Sequence, residues 1–488
     1  MSADRSTEYL AGLVRELYKL PQETEWVEFK HNNANPQEIG EYLSALANSA
    51  AFLGKVNAYL IWGVDNQTHD IIGTTFKPTC VKCGNEELES WLLRLLEPKI
   101  NFRFHELTIE DNLVVLLEIS AAFRHPVRFS GLEYIRVGSY KKKLKDYPEK
   151  ERALWRVFDQ IPFERGVAAD HVSGEDVLRL LDYPAYFDLL ELPLPDGRAA
   201  ILDALCKDEL IQSSQAGNWN ITHLGALLFA KKLEEFSGLR RKAIRMVHYR
   251  GHGRVETLRE QTGNKGYASG FEGLIAFIMA LVPSNEVIEQ ALRRTVPMFP
   301  ELAVRELVAN ALIHQDLFST GAGPMVEIFD NRMEITNPGE PLVDTQRFLD
   351  TPPKSRNESL ASLMRRFRIC EERGSGIDKV VAQVEAYQLP APAFEVPDGF
   401  TRVILFAHRP LNKMDKADRV RACYLHACLK WVMRDYLTNA SLRERFGVEE
   451  RNKATVSRYI REAVEDGKIK PFDEEAPKKM MKYVPFWA

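Results

Sequence analysis

Glu23-Thr-Glu-Trp-Val-Glu28-Phe-Lys30 and, a helix-length later, Tyr59-Leu-Ile-Trp-Gly-Val-Asp65 are the segments around which this chain is read. Glu28 and Lys30 are two positions apart, so an extended strand places both side chains on one face. Tyr59 to Val64 is a short apolar run of the kind that makes a buried strand, and Asp65 closes it at the exposed end. Glu23, Glu28 and Asp65 could therefore meet at a sheet end with Lys30 beside them. Hard carboxylate oxygens suit Mg²⁺ or Mn²⁺, and an adjacent ammonium can stabilise charge or activate water. The same residues also fit solvated strand ends and a surface ion pair.

Between these segments, Asn35-Pro36-Gln37-Glu38 carries a helix start: Asn as cap, Pro in the first turn and an acid near the positive helix end. Ile39, Leu43, Leu46 and Ala47 recur at helical spacing and predict a face packed on a sheet. Leu113 to Ser120 and Tyr134 to Ser139 read as further strands. Lys141, Lys142, Lys143 and Lys145 follow, a basic segment suited to phosphate or to a solvated loop.

These motifs, in this order, resemble the Schlafen-type AlbA domain over about residues 1–155. The resemblance rests on Glu23-x-x-x-x-Glu28-Phe-Lys30, Leu43-Ser-Ala-Leu-Ala-Asn48, Ile61-Trp-Gly-Val-Asp65, Ile71-Ile-Gly73 and Tyr134-Ile-Arg-Val-Gly-Ser139. In animal Schlafen RNases matching acids bind the divalent metal that cleaves tRNA and rRNA, so the resemblance implies that role for Glu23, Glu28 and Asp65. Many bacterial relatives are described as DNA-binding modules or regulators. Ser49 to Gly54 departs from the usual Gly-rich turn. Animal Schlafens carry two such lobes and this chain has one, which makes a homo-oligomer, a dimer or higher, the expected way to build a cleft.

At 488 residues the chain is too long for one core and should divide into roughly three or four domains. Its formal charge of −4 gives no global basic character, so nucleic-acid contact must come from local patches. The longest apolar run, Leu274 to Val282, is too short to span a bilayer, and with the polar N-terminus it suggests a cytoplasmic protein without membrane contact. Six cysteines scattered along such a length argue against a disulfide framework. Cys80-x-x-Cys83 has half-zinc-site spacing and Cys423, His426 and Cys428 cluster, but structural thiols are the stronger reading. Residues 156–294 read as a helical, winged-helix-like connector. Within it Arg240, Arg241, Lys242, Arg245, Arg250 and Arg254 interleave with aromatic residues, as a nucleic-acid surface or a solvated strand edge would.

A second motif block begins near residue 295. Glu306, Asn310 and His314 are four apart and share one helix face. A carboxylate and a carboxamide one turn apart can hold water and a magnesium ion over a triphosphate. Met325 to Asp330 is a strand ending in an acid, and Gly374-Ser375-Gly376 is a glycine loop whose backbone N–H groups and following helix start suit phosphate. This order resembles the GHKL-type ATP-binding domain in the form found at the C-terminal region of RecG-like proteins, about residues 295–408. The resemblance implies a water-activating base at Glu306, a metal ligand at Asn310, an adenine contact at Asp330 and a phosphate loop at Gly374, Ser375 and Gly376. Asp330-Asn-Arg replaces the Asp-x-Gly-x-Gly of better-studied members. No Walker-type lysine loop is present.

Residues 415–488 read as a winged helix-turn-helix, with Lys453, Arg458 and Arg461 on its second helix and a lysine-rich wing. The expectation is thus an α+β multidomain protein: a Schlafen/AlbA-like α/β domain, a GHKL-like α/β sandwich and a C-terminal winged helix. Functionally it predicts a nucleotide-regulated, metal-dependent RNase on a tRNA-type substrate, with phage defence as a fitting context, or instead an ATP-sensing DNA-binding regulator.

Overall fold

The computed structural model describes residues 7–19, 24–65, 68, 70–123, 125–160, 162–214, 218–289, 292–370, 375–477 and 480–488. The chain is a mixed α/β multidomain protein that divides into two compact units, residues 2–173 with 213–220, and 174–212 with 221–488.

The first unit is built on a four-stranded sheet made by β1 (Val27–Lys30), β2 (Asn57–Trp62), β3 (Phe102–Ile109) and β4 (Asn112–Ser120), in the order β1-β2-β4-β3. β1 runs parallel to β2, which the intervening helix α2 (Pro36–Phe52) permits by crossing over one face. Asn35 caps α2 as its sequence predicts, its side-chain oxygen accepting from the N–H groups of Gln37 and Glu38. Alternation along the strands then feeds two cores. Leu60, Trp62, Val115 and Leu117 meet Leu43 and Leu46 of α2, whereas Phe29, Tyr59, Ile61 and Leu116 meet Leu10, Leu13 and Val14 of α1 (Thr7–Leu17).

The Leu43–Asn48 motif is a fastener. Asn48 Nδ2 donates to the carbonyls of Val127 and Tyr134, and its Oδ1 accepts from Val127 N–H. Ser44 bonds Val127 O and Tyr134 N, and Ser49 bonds Arg136 N. α2 is thereby tied to β5 (Leu132–Val137), which pairs antiparallel with β6 (Tyr140–Lys143). α3 (Pro148–Gln160) and β7 (Val167–Val172) follow in this unit, beyond the expected boundary at 155.

The second unit contains a six-stranded sheet. Its strands are β8 (Arg245–Tyr249), β9 (Thr257–Thr262), β10 (Met325–Phe329), β11 (Arg332–Pro338), β12 (Ala393–Glu395) and β13 (Phe400–Phe406), ordered β9-β8-β10-β11-β13-β12. β8 runs parallel to β10, so the sheet takes in a stretch that sequence assigned to the 156–294 connector, and the expected boundary at 295 falls inside one folded layer. Three of the arginines there are paired: Arg245 with Glu260, Arg250 with Glu256, and Arg254 with Glu327 and Glu334. Hence the half of the basic patch at Arg245, Arg250 and Arg254 is engaged in ion pairs, while Arg240 and Arg241 are exposed.

α4 (Glu301–His314) and α5 (Gly376–Ala386) pack on each other, and α4 also packs on β11. At the C-terminus, α6 (Lys416–Val432), α7 (Asn439–Phe446) and α8 (Lys453–Glu465) precede β14 (Ile469–Pro471) and β15 (Tyr483–Pro485), which pair antiparallel. Their core, which includes Cys423, Leu425, Leu442, Val456 and Ile460, is continuous with Leu349, Val381 of α5 and Ala391, so these helices also pack on the neighbouring part of this unit. Burial pushes the thiols of Cys423 and Cys428 up to about 12. With His426 bonded to Glu385 and Ser441, these groups serve packing. Among the described residues no helix is long and apolar enough to cross a membrane.

Candidate functional site

The second unit holds a cavity of about 230 Å³ lined by Glu306, Asn310 and His314 of α4, by Ile335 and Asn337 of β11, by Thr401 and Val403 of β13, and by Gly376 at the start of α5. The i, i+4, i+8 spacing that sequence exposed thus faces the cavity. Glu306 is buried, and a Cβ added at Gly376 would lie 2.8 Å from its Oε2 and 3.7 Å from Asn310 Nδ2. A side chain there would press on the end of Glu306, so glycine eases the approach of the helix start to these two groups. Ser375 stands at the N-cap of α5, and Gly374 lies outside the described residues.

The walls combine apolar residues (Leu342, Val343, Phe348, Ile377) with Lys354 and Arg365. An apolar slot bordered by cations and a helix N-terminus can take a flat base at one end and phosphate at the other. Arg356 and Asn357 shape it from behind. Arg356 donates to His314 O at 3.2 Å and to Glu340 O at 3.0 Å, and Asn357 Nδ2 donates to Ile313 O at 2.7 Å and Gln315 O at 2.9 Å. Burial, with Arg356 and Arg365 nearby, drives the His314 pKa down to about 4, so its imidazole is neutral near pH 7.

Asp330, expected at an adenine, does not line this cavity. It sits in the turn between β10 and β11, where its carboxylate accepts from Gly251 N–H at 3.0 Å. Asn337 and Glu340, at the opposite end of β11, line the cavity instead. The acid at a strand end was legible; which end of the hairpin opens on the cavity was not.

In the first unit, Glu28 is 2 % exposed and held between two cations. Lys30 Nζ is 2.5 Å from its Oε1, and the guanidinium of Arg136, itself fully buried, pairs with its Oε2. Burial opposes protonation of Lys30, but the Glu28 carboxylate outweighs it and raises the lysine pKa. The Tyr42 ring gathers this group: Lys30, Lys141 and Arg136 lie 4.9, 4.6 and 5.8 Å from its centroid. Lys141 also pairs with Glu41 at 2.5 Å, whereas Lys142, Lys143 and Lys145 are exposed. Asp65 Oδ1 accepts from Thr68 N–H at 2.8 Å. Glu23 lies outside the described residues.

Family models match both blocks. Residues 23–145 match Schlafen, AlbA_2, and residues 321–405 match HATPase_c_4, described as the C-terminal part of an ATP-dependent DNA helicase recG. The chain joins a Schlafen AlbA_2 domain to a recG-type HATPase_c_4 domain. Among solved structures it is similar to the DIP2311 protein from Corynebacterium diphtheriae, at 18 % identity and a TM-score of 0.42, over 98 % of this chain and 96 % of that one. It is also similar to the N-terminal domain of a RecG-related protein from Nitrosomonas europaea, at 20 % identity and a TM-score of 0.20, over 28 % of this chain and 92 % of that one. A search of curated proteins returned no match.

These domains make the chain a nucleic-acid-associated, ATP-binding protein. The HATPase_c_4 match begins after α4, yet Glu306 and Asn310 line the same cavity as its Asn337, Gly376 and Val403. In the AlbA_2 domain, Arg136 and Tyr42 are residues that sequence reading missed. Arg136 stood inside the quoted Tyr134–Ser139 motif, but nothing in the sequence aligned it with a carboxylate 108 positions earlier. A metal does not fit Glu28 as placed, since both its oxygens already face cations. Neither Glu28 nor Asp65 belongs to the group of three ligating side chains found among the described residues. On α8, Lys453, Arg458 and Arg461 are exposed while Val456, Tyr459 and Ile460 are buried, so the basic residues lie on the outer side of the helix.

Proposed function

We propose that this chain is a nucleic-acid-binding protein whose hold on RNA or DNA responds to the adenine nucleotide in its HATPase_c_4 cavity. The observation that carries the nucleotide half is the approach of Gly376 to Glu306 and Asn310 inside that cavity. Bound ATP with Mg²⁺ would supply the triphosphate charge and a metal to polarise it. Asn310 would then be a metal ligand, the start of α5 with Ser375 would receive phosphate, and Glu306 would orient and deprotonate water.

Charge supports binding over cleavage in the AlbA_2 domain. Lys30, Lys141 and Arg136 surround Tyr42 against two carboxylates, Glu28 and Glu41, and three exposed lysines adjoin them. That surplus suits a phosphate backbone, and the aromatic ring and stacked cations suit single-stranded RNA as well as duplex DNA. The C-terminal helices with the β14–β15 hairpin are read as a winged helix offering Lys453, Arg458 and Arg461 to the same class of ligand. The rival reading is a metal-dependent RNase using Glu23, Glu28, Lys30 and Asp65; it requires Glu28 to leave Arg136.

The test incubates purified full-length protein with tRNA and with duplex DNA, with Mg²⁺ or Mn²⁺, with and without ATP. Binding should weaken with salt, shift with ATP, and lose about 0.7–0.9 of log–log salt slope per phosphate contact removed in Lys142→Gln, Lys143→Gln and Lys145→Gln. Glu306→Ala should stop ATP turnover, and Gly376→Ala should weaken nucleotide binding about tenfold. Binding indifferent to both the lysines and ATP would overturn the proposal. Metal-dependent RNA cleavage lost in Glu28→Ala would install the nuclease in its place.

A further inference from the structure

A second constellation lies on the other face of the AlbA_2 sheet. In β4, Glu118 is aligned with Tyr59, whose side chain belongs to the α1 core, so it points away from α2 and from Glu28. One ligand atom each from Glu118, Asp170 and His171 lies within 4.8 Å of the others, and Glu118 and His171 are buried. His105, two positions along β3 from the residue opposite Glu118, brings a fourth donor: its Nε2 is 3.6 Å from Glu118 Oε2. That nitrogen is buried and has no hydrogen-bond partner, and the imidazole as a whole is 11 % exposed. A buried donor or acceptor left without a partner costs about 1–3 kcal/mol, so its persistence calls for a ligand.

The backbone is bent to make this arrangement. Consecutive residues of a strand point to opposite faces, which would separate Asp170 from His171. His171 instead adopts φ 50°, the left-handed region that non-glycine residues enter only at a cost, and the two side chains turn to one point. The ring is then oriented from behind. Its Nδ1 lies 2.5 Å from Tyr9 Oη and 2.8 Å from Ser214 Oγ, leaving Nε2 facing Glu118 at 3.9 Å. Outer partners of this kind set the tautomer and aim of metal-binding histidines. Asn57 Nδ2 is 3.1 Å from His171 Nε2 and 3.0 Å from Glu118 Oε1; turning its carboxamide over presents an oxygen there instead.

We propose that Glu118, Asp170 and His171, with His105 as fourth donor, bind one divalent transition-metal ion of the zinc class. Two imidazoles and two carboxylates match its coordination number and neutralise its charge. The ion would clamp the strand carrying Asp170 and His171 to β4 and, through Tyr9, to α1. The competing arrangement is a metal-free polar cluster, with Arg103 opposite Glu118 in the ladder as the compensating charge.

The experiment purifies the full-length protein, strips it with chelator, and titrates it with Zn²⁺ or Co²⁺ while metal content, thermal midpoint and the visible Co²⁺ spectrum are recorded. Wild type should retain about one equivalent of Zn²⁺ and melt about 5 °C higher with it than without. The Co²⁺ spectrum should show d–d bands without a thiolate charge-transfer band, which excludes Cys80 and Cys83 as ligands. Glu118→Gln and His171→Gln should lose binding at least tenfold, whereas Glu28→Gln should keep it. His105→Gln, a near-isosteric change, keeps the test open if the others do not fold, and should also weaken binding tenfold. No uptake by wild type at micromolar Zn²⁺ or Co²⁺, or uptake surviving Glu118→Gln and His105→Gln, would overturn the proposal.

Discussion

Glu28 and Glu118 are both buried carboxylates on neighbouring parts of one four-stranded sheet, yet they face opposite sides and opposite company. Glu28 meets an ammonium and a guanidinium. Glu118 meets a carboxamide and two imidazoles, with a second acid nearby. A buried charge must be compensated, and the sort of compensation decides what the site can do. Glu28 has its cations built in. Glu118 stands among two imidazoles, a carboxamide and a second acid, with Arg103 opposite it in the ladder, and this mixed company is what the proposed metal site draws on.

The largest test of that contrast is Arg136→Met. It leaves Glu28 with Lys30 alone, and denaturant unfolding should show a loss of about 4 kcal/mol, largely restored by adding Glu28→Leu. A small loss in the single variant would mean that Glu28 does not depend on its built-in cations. His314 applies the same rule to a base. Burial beside Arg356 and Arg365 depresses its pKa from 6.5 to about 4, so the unfolded chain takes up this proton first as pH falls. The resulting stability is full above pH 6.5 and is lost as pH drops toward 4, by about 3 kcal/mol in all. His314→Gln should flatten the stability profile in that window, and an unchanged profile would show that neighbouring charges do not control His314.

Asn48→Ala separates packing from charge on the Glu28 face. It deletes three buried hydrogen bonds between α2 and the segment leading into β5 without touching an ion, and should cost about 2 kcal/mol. The smallest effect belongs to Glu118→Gln in chelator-treated protein. With no metal bound, replacing the acid by its isosteric amide should shift stability by less than about 1 kcal/mol. A loss near that of Arg136→Met would show that Glu118 depends on Arg103 as Glu28 does on Arg136, and erase the contrast.

Local signals in the chain were strong where local geometry suffices. The Asn35 cap and Pro36 started α2 where expected, the 3.6-residue period placed Glu306, Asn310 and His314 on one cavity-facing stripe, and the apolar run from Tyr59 made a fully buried strand. β8 and β9, from the stretch read as a connector, join the sheet of residues 325–406 across intervening segments with no sequence mark of partnership. Asp330 was misdirected for a related reason: both ends of a hairpin carry polar residues, and only packing decides which end opens on a cavity.

The same division holds at the acids. Glu28 and Lys30 share a face by strand alternation alone, so their pairing follows from two residues of spacing. What surrounds them does not. Arg136 reaches Glu28 because α2 carries β5 against its own face, and His171 reaches Glu118 because β7, a strand of a different sheet, takes a left-handed backbone conformation at that residue. Sequence by itself determined which residues could carry charge, hold phosphate or ligate a metal, since those properties reside in side-chain chemistry and short-range period. Tertiary structure alone decided which charges meet, because contacts between residues 108 or 53 positions apart are set by how layers pack. In the stretch from Glu23 to Asp65, that packing set the Arg136 guanidinium against the Glu28 carboxylate.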